Sequence, residues 1–339
     1  MSDASPTFQH SFLERVRSRF NSRSELVRSL GETLGLGRDA IYRRLRGDTA
    51  LTADELVTIS RKYRVPIEEG RDLSNVPVMY YHNGEYKITD DEDYFRDFRK
   101  HTVHLLNLPG VRVDYATSEL PIFYELSPPV LRAFKVYIFG VTTWRLKKWE
   151  GIPFSPALLS PATNEVIEGI IEDAYRLPAR ELWSIGILDV TLRQITYMAQ
   201  VGRFADDKDL LTIFEELHGI VNHLEQMAKS GKRFRPGTQP TDASPDFSVS
   251  HNELSNTNNA IIINSDAGRM MFNTLVNPNY LMTTDPRILN DVASWFERLV
   301  ENGNALNNAS GKYTNQYFGR LRQQIDATKD RVSYTSMIF

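Results

Sequence analysis

Between Leu26 and Tyr63 one pattern repeats three times: apolar residues three or four apart, then a stop. Leu26, Val27, Leu30 and Leu34 share one side of a helix that opens at a serine and ends before Gly35. Ile41 and Leu45 share a side of a second helix, Gly37 to Arg46, which Gly47 closes. A third opens on Thr52 and Glu55, the two halves of a capping box, and carries Leu56, Ile59 and Tyr63. Upstream, Phe12, Val16 and Phe20 follow the same four-residue spacing. The spacing predicts four short helices around one little core at the head of the chain.

The charges on these helices are uneven. Arg15, Arg17, Arg19, Arg23, Arg28, Arg38, Arg43, Arg44 and Arg46 face only Glu25, Glu32 and Asp39 within the same span, and the first lysine is Lys62. Net charge over the whole chain is −3, so the basic excess is local. Guanidinium is a planar fork that suits phosphates and guanine edges, and an arginine-only segment therefore favours nucleic acid as a partner.

The run Leu26 to Glu69, "LVRSLGETLGLGRDAIYRRLRGDTALTADELVTISRKYRVPIEE", resembles the Cro/lambda-repressor type of helix-turn-helix domain: "L-G-L" precedes the recognition helix, a glycine ends it, and an "L-x-x-I-x-x-x-Y-x-V" helix follows. The resemblance implies that Leu26 to Leu34 is the first motif helix, Gly35 and Leu36 the turn, and Arg38 to Arg46 the helix that enters the major groove of double-stranded DNA. By position, Arg38, Asp39, Tyr42, Arg43 and Arg46 are expected to face the groove, with Arg23, Arg28 and Arg44 on phosphates. A single small module makes few contacts, so a homodimer on a two-fold operator is expected.

Beyond this module the chain is read from pattern alone. "VMYYHNGEYKI" suggests a hairpin of Met79–Tyr81 with Tyr86–Ile88. "DYFRDFRKHTVHLLNL" reads as a helix with Phe95, Phe98, Val103 and Leu106 inward, and "VRVDYATSELPIFYEL" as two strands. From Pro128 to Gly231 helical character is expected to dominate. Among them, Leu210, Phe214, Leu217, Val221, Leu224 and Ala228 alternate by four and three, a seam that could pair with a second chain or with neighbouring helices. Lys232 to Ser248, rich in proline, serine and threonine, reads as an exposed linker or loop. Ile261–Ile263, Met270–Val276 and Tyr280–Met282, separated by "SDAG" and "NPN", read as a three-stranded meander, and the nearby Asn256, Asn258 and Asn259 as turn residues. Two more helices close the chain. The expected fold class is mainly α with a smaller β part, an α+β chain. Its expected parts are a DNA-binding domain at 1–72, a helix-rich middle at 73–231, and a sensor or oligomerisation region at 246–339.

Several chemistries are missing. With no cysteine there are no disulfides and no thiolate sites. The close histidine pairs, His101/His104 and His218/His223, lack helical zinc spacing, and no glycine-rich phosphate loop or G-x-S-x-G elbow occurs. No metal, no cofactor and no enzymatic activity are expected. The run Val130 to Val141 is apolar but interrupted by Arg132 and Lys135, and "MSDASPTFQHSF" lacks the pattern of an export signal, so no membrane partner and a cytoplasmic location are expected. The expected function is that of a sequence-specific transcriptional regulator with a C-terminal region that senses a small molecule or a protein. The competing readings are a DNA-targeted effector, such as a defence or nuclease-like protein, and a protein-binding adaptor.

Overall fold

The computed structural model describes residues 8–20, 22–63, 65, 67, 81–82, 88–253 and 259–336. The chain forms two compact units, Met1–Val78 and Met79–Phe339.

Among the described residues the regular elements of the first unit are α1 (Phe8–Arg17), α2 (Arg23–Leu34), α3 (Arg38–Arg46) and α4 (Ala53–Tyr63). Local chemistry sets the boundaries. Ser22 Oγ accepts from the Glu25 N–H at 3.2 Å to start α2. Gly35 (φ 65°) and Gly47 (φ 84°) end α2 and α3 in the left-handed region, where a side chain would be strained. Thr52 and Glu55 form the expected reciprocal cap ahead of α4, at 3.0 and 3.2 Å. The apolar stripes converge on Phe12, Val16, Leu26, Leu30, Ile41 and Ile59, each at most 2% exposed. Tyr63 Oη ties α4 to α2 through Ser29 and Thr33.

The second unit is built on one eight-stranded mixed sheet. Its elements in chain order are β1 (Tyr81–His82), α5 (Asp91–Leu106), β2 (Arg112–Thr117), α6 (Ile122–Glu125), α7 (Pro129–Thr142), α8 (Pro161–Tyr175), β3 (Ala179–Trp183), α9 (Asp189–Gln200), α10 (Asp207–Ser230), β4 (Phe247–His251), β5 (Ala260–Ser265), β6 (Gly268–Val276), β7 (Asn279–Thr283), α11 (Pro286–Glu301), β8 (Asn304–Ala305) and α12 (Gly311–Ser336). The strand order is β1-β7-β6-β5-β2-β3-β4-β8. Strands β2, β3 and β4 are parallel and are joined by helical crossovers, as parallel neighbours must be. The expected meander, β5-β6-β7, is antiparallel and pairs with β2 through β5. The chain is α+β, as its sequence predicts.

Strand periodicity sorts residues between the two faces. Val113, Tyr115, Ala179, Trp183 and Ile263 enter the large core beneath the helices, whereas Ala116, Leu182, Ile262 and Met271 meet Leu289 and Phe296 of α11 on the opposite face. On that second face Arg180 grips Asp114 and reaches Glu297 of α11.

Several expectations need correction. The middle and C-terminal regions, 73–231 and 246–339, are not separate, because strands from both pair side by side in one sheet. "VRVDYATSELPIFYEL" gives one strand and a short helix, α6, rather than two strands. The helix-rich middle also contains a strand that the sequence reading did not place, β3, and the expected linker or loop ends in β4. The expected hairpin lies largely outside the described residues; of it, Tyr81–His82 is described and pairs with β7. Val103 of α5 is 43% exposed. Asn256 and Asn258 lie outside the described residues, while Asn259 is buried and accepts from Thr117 Oγ1 at 2.6 Å. The α10 seam is buried, and it is filled within the chain by α7 and α12. Arg132 and Lys135 sit inside the buried α7 with carboxylate partners, Glu168 and Glu125. Among the described residues no helix is long and apolar enough to cross a membrane.

Candidate DNA-binding helix and a buried cavity

In the first unit α3 has two sides. Counting about 100° per residue, Arg38, Asp39, Tyr42, Arg43 and Arg46 fall within an arc of about 140°, and Ala40, Ile41, Arg44 and Leu45 occupy the opposite one. Exposure follows that division: Arg38, Asp39, Arg43 and Arg46 are exposed, Tyr42 is half-buried, and Ile41 is 1% exposed. Ile41 therefore anchors the helix while the charged stripe faces away from the unit's core.

Three of the predicted residues have notable neighbours. Arg46 pairs with Asp48 at 2.8 Å, but both side chains are at least half exposed, so the pair contributes little and is easily exchanged. The Arg23 guanidinium of α2 lies 5.7 Å from the centre of the Tyr42 ring, which brings two predicted contacts onto one patch. Arg28 is exposed on α2.

Arg44 is the exception. Its Nε and Nη2 donate to the two carboxylate oxygens of Glu55 at 3.0 and 2.7 Å, and its Nη1 donates to the Ala40 carbonyl. The Arg44 bond is the foremost cause holding the Glu55 carboxyl below its usual range. Both partners are mostly buried, 14% and 16% exposed. Arg44 therefore braces α3 against the start of α4 and leaves the set of predicted phosphate contacts.

A further supporting residue carries no sequence signal. Gln9 of α1 donates from Nε2 to the carbonyls of Arg44 and Thr49, and accepts from the Leu51 N–H, all at 2.8 Å. It clamps the end of α3 and the loop that follows. Its partners are backbone groups about 40 residues away, so only the fold reveals its role.

The second unit holds a cavity of about 110 Å³ between α5, α6 and the helix-covered face of the sheet. Most of its wall is apolar: Tyr94 and Phe98 from α5, Phe123 from α6, Phe272 from β6 and Tyr280 from β7. Three carboxylates also reach it. Glu125 on α6 is ion-paired at 3.0 Å with Lys135 of α7, and both are buried. Lys135 Nζ donates in turn to Gln194 at 2.8 Å.

Glu181 on β3 accepts from Tyr124 Oη at 2.6 Å and from Trp183 Nε1 at 2.8 Å, with Arg233 at 3.8 Å. Burial raises the Glu181 pKa, and the charge of Arg233 opposes that rise. Arg233 is 3% exposed, lies 5.7 and 5.8 Å from the ring centres of Tyr124 and Tyr175, and has an Nε without a hydrogen-bond partner.

The third carboxylate, Glu119, stands in the loop between β2 and α6. It accepts from Asn277 Nδ2 at 2.8 Å, and burial followed by the neighbouring Glu125 raises its pKa. On the opposite wall Tyr280 Oη shares a 2.6 Å hydrogen bond with His101 Nδ1. Sequence reading attached no role to these residues, since they come from segments widely separated in the chain. Among the described residues no group of three or more histidine and acidic side chains is placed to hold a metal ion. No protein family, curated protein or solved structure matches the chain.

Proposed function

We propose that this protein is a sequence-specific DNA-binding transcriptional regulator, acting in the cytoplasm as a homodimer, with a second unit that senses a small molecule. The observation that carries the reading is the division of α3: Arg38, Asp39, Tyr42, Arg43 and Arg46 share one exposed stripe, while Ile41 holds the other side to the core. A helix presented this way fits a major groove, with residues of its first turns at base edges. Arg23 and Arg28 on α2 supply phosphate contacts beside it. Dimerisation rests on energetics, because doubling one small contact set across a two-fold site is the usual route to tight binding. The mostly apolar cavity with a few convergent polar groups has the composition of a ligand site and supports the sensing role.

The test is selection of bound fragments from genomic DNA by the full-length protein, with an Arg43→Ala, Arg46→Ala variant run in parallel. Enrichment of a palindromic site that the variant loses is the expected result. Equal enrichment by both proteins, or none by the wild type, would remove α3 as the recognition element.

A further inference from the structure

We propose that the cavity of the second unit binds a small organic cation, an alkylammonium whose charged head pairs with Glu119 and whose chain lies among the rings of Phe98, Phe123, Phe272 and Tyr280. This names the ligand class for the sensing role proposed above and rests on that role only for its link to DNA.

The charge arrangement selects the sign. Two of the three carboxylates in the wall already have a buried cation opposite: Lys135 for Glu125 at 3.0 Å, and Arg233 for Glu181 at 3.8 Å. Glu119 has none within ion-pair distance among the described residues, and its side chain is held by Asn277 alone. A partly desolvated carboxylate whose side-chain donor is neutral, and which the charges of Lys135 and Arg193 reach only from beyond ion-pair distance, gains from a cation in direct contact. An anion would enter a wall of three carboxylates, two of them matched by Lys135 and Arg233 and the third, Glu119, in contact with no cation among the described residues. Arg233 is the alternative anchor, since its Nε has no partner, yet its charge is already answered by Glu181 and by the faces of Tyr124 and Tyr175.

The remaining wall agrees with a cation. Aromatic faces attract ammonium groups through the ring quadrupole while burying the attached carbon chain. Size is limited by the volume of about 110 Å³. An apolar cavity of about 150 Å³ accommodates benzene, so a chain of about four carbons with its ammonium is the appropriate scale.

Calorimetric titration of the full-length protein with n-butylammonium, n-butanol and n-butyrate varies charge at nearly constant size. The ammonium is expected to bind tightest. Glu119→Gln keeps an acceptor for Asn277 and is expected to weaken ammonium binding at least about tenfold while leaving butanol binding within about twofold. Tightest binding of butyrate would overturn the assignment and make Arg233 the anchor. Equal binding of all three, no binding of the ammonium, or an unchanged ammonium affinity in Glu119→Gln would each overturn it too. DNA affinity is measured separately, with and without the ammonium. A cation that binds without altering DNA affinity supports the cavity assignment and refutes the sensing role.

Discussion

Arg44 on α3 and Glu55 on α4 meet through two parallel hydrogen bonds of 3.0 and 2.7 Å, and this contact commits one arginine of the basic helix to a partner within the first unit. The pair is mostly buried, so removing one member leaves the other without a counter-charge. Arg44→Ala is expected to cost about 2 kcal/mol of stability in the first unit, read as a lowered midpoint of thermal or urea unfolding. Because the folded-state pKa of Glu55 is lowered, its contribution is present above its unfolded value. That contribution fades as pH falls through the lower folded value, so wild type and Arg44→Ala should converge in acid. A stability gap that persists below both values would show that the pair is not its source.

Arg43 lies on the other side of the same helix and is exposed. Arg43→Ala is expected to leave the unfolding midpoint within about 0.5 kcal/mol of wild type. If it holds a phosphate, DNA affinity falls on every sequence and the slope of log affinity against log salt decreases by about 0.9. If it reads a base, about 1–3 kcal/mol is lost on the selected site only. Anisotropy titrations at several salt concentrations distinguish the two, and no change in either would place Arg43 outside the interface.

Ile41 joins the stripe to the core at 1% exposure. Truncation to alanine should cost about 2–4 kcal/mol, a large fraction of what so small a helical unit can hold. The expected readout is loss of helical circular dichroism at moderate temperature together with loss of DNA binding. Retained binding at wild-type stability would mean that α3 is positioned by other contacts.

On the second unit, Arg180 gives Asp114 two bonds of 2.7 Å and Glu297 two more of 3.1 and 2.6 Å. Asp114 also accepts from Arg112 and Asn264 but is itself buried. Arg180→Ala is expected to destabilise this unit by about 3 kcal/mol and to loosen α11, seen as faster amide exchange in α11 and β3. Unchanged protection would assign the docking of α11 to its apolar contacts, Leu289 and Phe296.

The head of the chain was legible because its signals are local. A serine cap, two left-handed glycines, a Thr–Glu box and stripes spaced by three and four each act within one or two turns, and no distant residue is needed to read them. The same arithmetic contained the correction for Arg44, which falls on the side of α3 shared with Ile41 and Leu45. The meander was legible for a related reason, since its turns join strands adjacent in the chain. Strands β3 and β4 were not. "ARELW" and "FSVSH" are short, lie among charged or serine-rich residues, and pair in parallel only after long helical crossovers.

The sequence by itself determined the α+β class, the four N-terminal helices with their arginine stripe, and the order of most later elements, because these depend on short-range spacing and capping. Tertiary structure alone decided that one sheet unites the middle and the end of the chain, that Gln9 clamps the end of α3, and that Glu119, Arg233 and Tyr280 border one cavity. Those relationships depend on packing between segments far apart in the chain, and local periodicity carries no record of which distant face a buried side chain will meet.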